Sequence, residues 1–170
     1  GLITSIGKAH LEGFGSPEGV LKTKMEMFQY LDKHRGTCFY NLNDEQLFQL
    51  FHQEARHIAF GDSGRSSAYS GEALHFYPDI ELYFNCPAGR FKVHSKLFGK
   101  YNYHNILSAC TLASYYEIPA EQIQAGIESY VPDNMRSQII QLNGATVVLD
   151  AYNANPSSMR EAIVAYSDMA

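Results

Sequence analysis

The sequence predicts an α/β fold: an incomplete, mostly parallel sheet with helices and an antiparallel edge ribbon, followed by the first strand and helix of a truncated second α/β domain. Three observations predict it. Strand-like and helical runs alternate through the first 60 residues, the order that lays helices over parallel strands. Residues 66–98 then change to short apolar runs broken by Pro78-Asp79 and Pro87-Ala88-Gly89, the punctuation of antiparallel ribbons. A boundary near Pro132 to Arg136 leaves too little chain for a complete second domain, dividing the sequence into 1–135 and 136–170.

Taken in order, Leu2 to Gly7 reads as the end of a strand entering a loop, so the chain is expected to begin in mid-fold. Ser16-Pro17 is an N-cap and first-turn pair, and helical periodicity runs from there to about Leu31. A short strand from Thr37 to Tyr40, a helix from Asp44 to His52 and a strand from His57 to Phe60 follow. Ala73 to Tyr77, Ile80 to Cys86 and Phe91 to Leu97 are the strands of the edge ribbon. Helices are expected over about Asn102 to Tyr116 and Ala120 to Tyr130. Strands from Ser137 to Leu142 and Thr146 to Asp150 flank an Asn143-Gly144 turn, and a last helix starts at Pro156.

Composition narrows the function classes. With 170 residues, 45% hydrophobic and 18% charged, the chain can bury a real core. A formal net charge of −5 with scattered Lys and Arg argues against nucleic acid as a partner. No apolar run approaches the ~18 residues of a membrane span, and the N-terminus lacks the layout of a signal peptide, so a cytoplasmic protein without membrane insertion is expected. Cys38, Cys86 and Cys110 are odd in number and far apart, which supports neither a disulfide framework nor a zinc site.

Some residues break their local pattern. Wound at ~100° per residue, the helix after Pro17 gathers Val20, Leu21, Met25, Phe28 and Leu31 on one face, and Lys24 falls in the middle of it. A desolvated lysine loses its proton readily and becomes chemically usable; alternatively its stem snorkels to the helix edge. His10 lies in the loop after the opening strand, where parallel sheets gather ligands, and could equally be a surface residue. Asn102 and Asn105, three apart at the start of a helix, can present amides to a base edge; a helix N-cap by Asn102 is the plainer reading.

The strings themselves resemble a known family. Ala9-His10-Leu11-Glu12-Gly13-Phe14-Gly15-Ser16 with Lys22-Thr23-Lys24, then Gly99-Lys100-Tyr101-Asn102-Tyr103-His104-Asn105, then Asp150-Ala151-Tyr152-Asn153-Ala154-Asn155, resemble in order the signatures of the Mur ligases, in their D-alanyl-D-alanine-adding branch. The resemblance implies an ATP-dependent, Mg2+-dependent ligase of peptidoglycan synthesis, acting as a monomer on UDP-N-acetylmuramoyl-tripeptide and D-alanyl-D-alanine. It implies that His10 and a carbamylated Lys24 act in catalysis and hold magnesium. It assigns the adenine contact to Asn105 with support from Asn102 and an ATP contact to Arg136, while Asp150, a carboxylate at the end of a strand, can accept from ribose hydroxyls. Tyr152, Asn153 and Asn155, in the Asn-rich loop that follows, can bind the incoming dipeptide or position the nucleotide.

The physics of these residue types agrees: carbamate formation needs an unprotonated amine, and a guanidinium suits phosphate. Alternative readings are a surface salt bridge for Arg136 and turn or helix capping for Asp150 and Asn155. No G-x-x-G-K-[ST] phosphate loop occurs, and Gly61-Asp62-Ser63-Gly64 lacks the lysine and helix context, so this chain alone is expected to be inactive. Another Mur ligase, a folylpolyglutamate synthase relative and a non-catalytic binding module are the alternatives.

Overall fold

The computed structural model describes residues 1–6, 11–51, 56–133, 135–152 and 156–167. A six-stranded sheet runs β1 (Leu2–Ile3), β2 (Phe39–Asn41), β3 (Ile58–Asp62), β4 (Tyr69–His75), β5 (Ile80–Cys86) and β6 (Gly89–Ser95), each beside the next in sequence. The first four strands pair in parallel and the last three antiparallel, so β4 belongs to both halves. Between β1 and β2 lie α1 (Leu11–Phe14) and α2 (Pro17–Lys33), and between β2 and β3 lies α3 (Glu45–Phe51). After β6 come α4 (Lys100–Tyr115) and α5 (Ala120–Ser129), then a separate two-stranded sheet of β7 (Gln138–Leu142) and β8 (Ala145–Leu149), and α6 (Pro156–Ser167).

The expected α/β class and the antiparallel edge ribbon are observed. Ser16 caps α2 by accepting from the Gly19 N–H at 3.2 Å, with Pro17 in the first turn. The β7–β8 turn is Asn143-Gly144, both at positive φ (51° and 80°), the backbone a two-residue hairpin of this hand requires. The strands expected at Ser137 to Leu142 and Thr146 to Asp150 are observed as β7 and β8, and the helix expected from Pro156 is α6.

Two expectations need correction. The ribbon's first strand begins at Tyr69, four residues before Ala73, and its opening part pairs in parallel with β3. Parallel neighbours normally need a long crossover. Here the register is staggered, Phe60 against Tyr69 and Asp62 against Gly71, so residues 63–68 return the chain only a short distance. The second correction is at α4, which starts at Lys100 with Gly99 in the N-cap position, so Asn102 sits inside the first turn and caps nothing.

The two sheet faces carry two cores. Cys38, Tyr40 and Leu42 pack with Phe28 of α2 and with Leu47 and Phe51 of α3, the Phe28 and Phe51 rings stacked at 3.8 Å. Phe39, the intervening residue, meets the Tyr115 ring of α4 edge-on at 5.0 Å on the opposite face. There Ile80, Leu82, Phe84 and Val93 bury against Leu107 and Cys110 of α4 and Ile123 of α5. Burial at about 1.5–3 kcal/mol for each large apolar side chain makes these cores the main source of stability. Gly71 lets α4 approach the sheet: a Cβ there would lie 2.3 Å from Leu107 Cδ2 and 2.8 Å from the Tyr103 hydroxyl. The helix α5 lies along β6, and Gln124 Nε2 donates to the Lys92 carbonyl at 2.8 Å.

Candidate functional site

Because β1, β2 and β3 are parallel, their carboxyl ends open on one side, and polar residues gather there. Lys24 lies between the buried Val20 and Phe28 on α2, half-buried itself, and its ammonium donates to the Ser5 carbonyl at 2.5 Å. Its tip thus reaches the segment that leads from β1 toward His10. Asp44 accepts from the Ile6 N–H at 2.7 Å through one oxygen, and its other oxygen caps α3 through Gln46 and Leu47. Asn43 is clamped to the end of β3, donating to Asp62 Oδ2 at 2.7 Å and accepting from the Asp62 N–H at 3.0 Å.

Across from that clamp stands His104 of α4. Its Nε2 lies 3.6 Å from Asp62 Oδ1, an electrostatic contact longer than a hydrogen bond, and both atoms are hidden from solvent without a hydrogen-bond partner. Burial lowers the His104 pKa, outweighing the pull of Asp62 and Glu161 that favours the charged form. Burial also raises the neighbouring Tyr103 phenol, and the Asp62 carboxylate adds to the rise.

A second group of polar residues joins α4 to the chain beyond it. Asn105 donates to Asn102 Oδ1 at 3.3 Å, and Asn102 Nδ2 donates to the Phe98 carbonyl at 2.9 Å and to Ser137 Oγ at 3.2 Å. Ser137 Oγ also pairs with the Tyr101 hydroxyl at 2.5 Å, and the Ser137 N–H donates to Asp150 Oδ1 at 3.2 Å. Asn105, Asn102, Ser137 and Asp150 therefore form an unbroken hydrogen-bonded series. Met135 and Ser137 hold φ of 57° and 54°, a left-handed backbone that costs energy away from glycine and Asn. The Met135 carbonyl accepts from Ala151 and Tyr152, which with the Ser137 bonds holds that geometry. The Arg136 guanidinium stacks 3.8 Å above the Tyr152 ring, so its observed partner is an aromatic face rather than the carboxylate of a surface salt bridge.

Gly99 explains its own place in the motif. Its φ is 85°, and a Cβ would crowd Tyr101 at 2.8 Å and Ala165 of α6 at 3.2 Å. The helix α6 docks here through buried Ala162 and Ala165, with Tyr166 facing Phe98. Burial, with Asp150 and Tyr101 close by, pushes the Tyr166 phenol up to about 12. Beside Asn105 an apolar cavity of about 290 Å³ opens between α4 and α5, lined by Leu97, Ile106, Ile127 and Tyr130.

Of the residues singled out in the sequence, Asn102, Asn105, Arg136, Asp150 and Tyr152 come together at this junction, and Lys24 lies at the strand ends. His10, Asn153 and Asn155 lie outside the described residues. Ser137, Tyr101, Asp62 and His104 were not singled out as site residues. Tyr101 and His104 stood inside a recognised motif, and Asp62 lies within the Gly61–Gly64 stretch. Ser137 carries no signal that sequence reading could use.

Helices on both faces of a mostly parallel sheet, with polar groups gathered at the carboxyl ends of its parallel strands, define an open α/β domain. Residues 1–113 match the Mur ligase middle domain, and the chain belongs to the Mur ligase family. It is 30% identical over 169 residues to the UDP-N-acetylmuramoyl-tripeptide–D-alanyl-D-alanine ligase of Bacillus subtilis, covering 95% of this chain and 35% of that protein. To the enzyme of the same name from Buchnera aphidicola it is 33% identical over 166 residues, 95% of this chain and 36% of the other. The crystal structure of MurF from Acinetobacter baumannii superimposes with a TM-score of 0.82 at 25% identity, over 96% of this chain and 36% of that one. The chain spans about a third of the length of these relatives.

Proposed function

We propose that this chain is the nucleotide-facing part of an ATP-dependent ligase that adds D-alanyl-D-alanine to UDP-N-acetylmuramoyl-tripeptide, with 1–135 serving the central domain and 136–170 opening the next. The observation that carries the proposal is the hydrogen-bonded series from Asn105 through Asn102 and Ser137 to Asp150, which links three residues of the expected nucleotide set across the junction.

The donor sets fit the nucleotide. The Asn105 amide beside an apolar cavity suits the edge and faces of adenine, the Asp150 carboxylate suits ribose hydroxyls, and Arg136 suits phosphate. ATP supplies the phosphoryl group that activates the tripeptide carboxylate, after which the dipeptide amine displaces phosphate and an amide forms. Much of the work is positioning and charge neutralisation. Among the described residues no group of three or more His, Cys, Asp and Glu could hold a metal. The magnesium site we propose for this chain is formed by His10 and by Lys24 turned into an oxygen donor by carbamylation. The Lys24 amine, held at the Ser5 carbonyl, lies where such a donor would face the strand ends.

The test is a chimera in which this chain replaces the matching segment of the Bacillus subtilis relative. Phosphate release from ATP that needs both the tripeptide and D-alanyl-D-alanine is the expected result. Lys24→Ala should abolish that release, and added short carboxylic acids should restore part of it. Release that accepts glutamate in place of the dipeptide would move the assignment to a neighbouring ligase. Full activity of Lys24→Ala without added acid would end the carbamate reading.

A further inference from the structure

We infer that His94 is a proton-operated latch: while its imidazole carries a proton it pins the last turn of α5 to the edge ribbon through Glu128, and without that proton it lets the turn go. The latch goes beyond the nucleotide reading and stands independently of it.

The geometry demands two ring protons. His94 Nε2 lies 3.0 Å from Asp79 Oδ2, just ahead of β5, and its Nδ1 lies 3.4 Å from Glu128 Oε1 on α5. An ionised carboxylate only accepts and a neutral imidazole has a single N–H, so the two bonds coexist only on the imidazolium. Asp79 sits closer to the ring and is the less exposed carboxylate, 35% against 61% for Glu128. When one proton leaves, the remaining N–H therefore stays with Asp79, and the bare Nδ1 faces the lone pairs of Glu128.

The other charged groups around the ring are already engaged. Asp79 gives its second oxygen to His75 of β4 at 2.9 Å. Glu81, opposite His94 in the β5–β6 register, is turned to Lys92 at 2.9 Å. The Asp79 bond, with a smaller contribution from Glu128, raises the His94 pKa against the effect of burial. The latch is thus set below a midpoint that lies above the ordinary histidine value of about 6.5, and it opens as pH rises through that midpoint.

What it holds is one wall of the apolar cavity. Gly126, Ile127 and Tyr130 line that cavity from the end of α5, and Asn105, Ile106 and Ala109 line it from α4. Gln124 fixes α5 one turn earlier, through a carboxamide that does not titrate. Glu128 is therefore the point at which this wall feels a proton.

The experiment is NMR of the whole chain across the titration of His94, with amide exchange corrected for its intrinsic dependence on pH. The amides of residues 127–130 should shift with the His94 midpoint, and their protection should fall about threefold once the proton is lost, the share of a surface ion pair. Amides of β5 should keep theirs. Glu128→Gln places a carboxamide there that accepts from the charged ring and donates to the neutral one, so protection of the last turn should become independent of pH. His75→Gln should leave the response in place, and its loss in that variant would assign the response to His75 and overturn the inference. Each variant is checked for its fold by its amide spectrum. A merely structural Glu128 would, when replaced, lower protection equally at every pH. No response in the unaltered chain, or one that persists in a folded Glu128→Gln, overturns the latch.

Discussion

Two histidines of this chain sit in opposite electrostatic settings. His94 bonds Asp79 at 3.0 Å and faces Glu128 at 3.4 Å, and the Asp79 bond, against a smaller opposing effect of burial, raises its pKa. Asp79 also bonds His75 at 2.9 Å; burial alone would raise the Asp79 carboxyl, but the two histidine bonds hold it below its usual range. Burial drives His104 the other way. The signs follow from linkage. Stability from His94 is present below its unfolded pKa and lost as pH rises through its folded one; stability from Asp79 is lost as pH falls through its own. Burial lowers the His104 pKa, so its share is present above the ordinary histidine value of about 6.5 and lost as pH falls through its folded one. Imidazole NMR titration should place His94 above the ordinary midpoint and His104 below it, and the reverse order would contradict the geometry. At this scale the sequence displayed Asn102, Asn105 and Asp150 within motifs, yet hid Ser137 and Asp62. Their partners on α4, Asn102 for Ser137 and His104 for Asp62, lie far off along the chain, where no periodicity reaches.

Helix α4 is the element on which both polar groups depend, since it presents His104 to β3 and Asn102 to the junction. Its seat is Gly71. Gly71→Ala should cost about 1–3 kcal/mol, as overpacking does, because its Cβ would meet Leu107 Cδ2 at 2.3 Å. Combining it with Leu107→Ala should cost less than the sum of the two single changes in thermal unfolding; full additivity would show that the helix does not rest there. The same residue explains why the start of β4 was hard to read. Tyr69, Ser70 and Gly71 are all buried, and two small residues in a row erase the alternation that marks a strand. The strands β5 and β6 were legible because one face is apolar and the other carries Glu81, Tyr83, Arg90 and Lys92.

In the whole molecule, stability is unevenly placed. The large sheet holds both apolar clusters, whereas β7 and β8 contain no buried residue and, among the described residues, α6 buries Ala162 and Ala165 alone. Native-state hydrogen exchange should therefore be slowest in β4, β5, β6 and α4 and faster in β7 and β8. Equal protection throughout would mean that the junction couples the two sheets into one cooperative unit. A boundary near Pro132 to Arg136 is an expectation of the sequence alone; the bonds that run past that stretch were not legible in it, because they depend on where α4 stops the chain in space. Finally, the helix α5 laid along β6 bears on how the protein behaves in a crowded solution. A sheet's last strand offers a free row of carbonyls and amides onto which a stray chain can add itself. With Gln124 already occupying the Lys92 carbonyl and the helix standing alongside, one place in that row is taken, which hinders an intruder from adding to the sheet on this side.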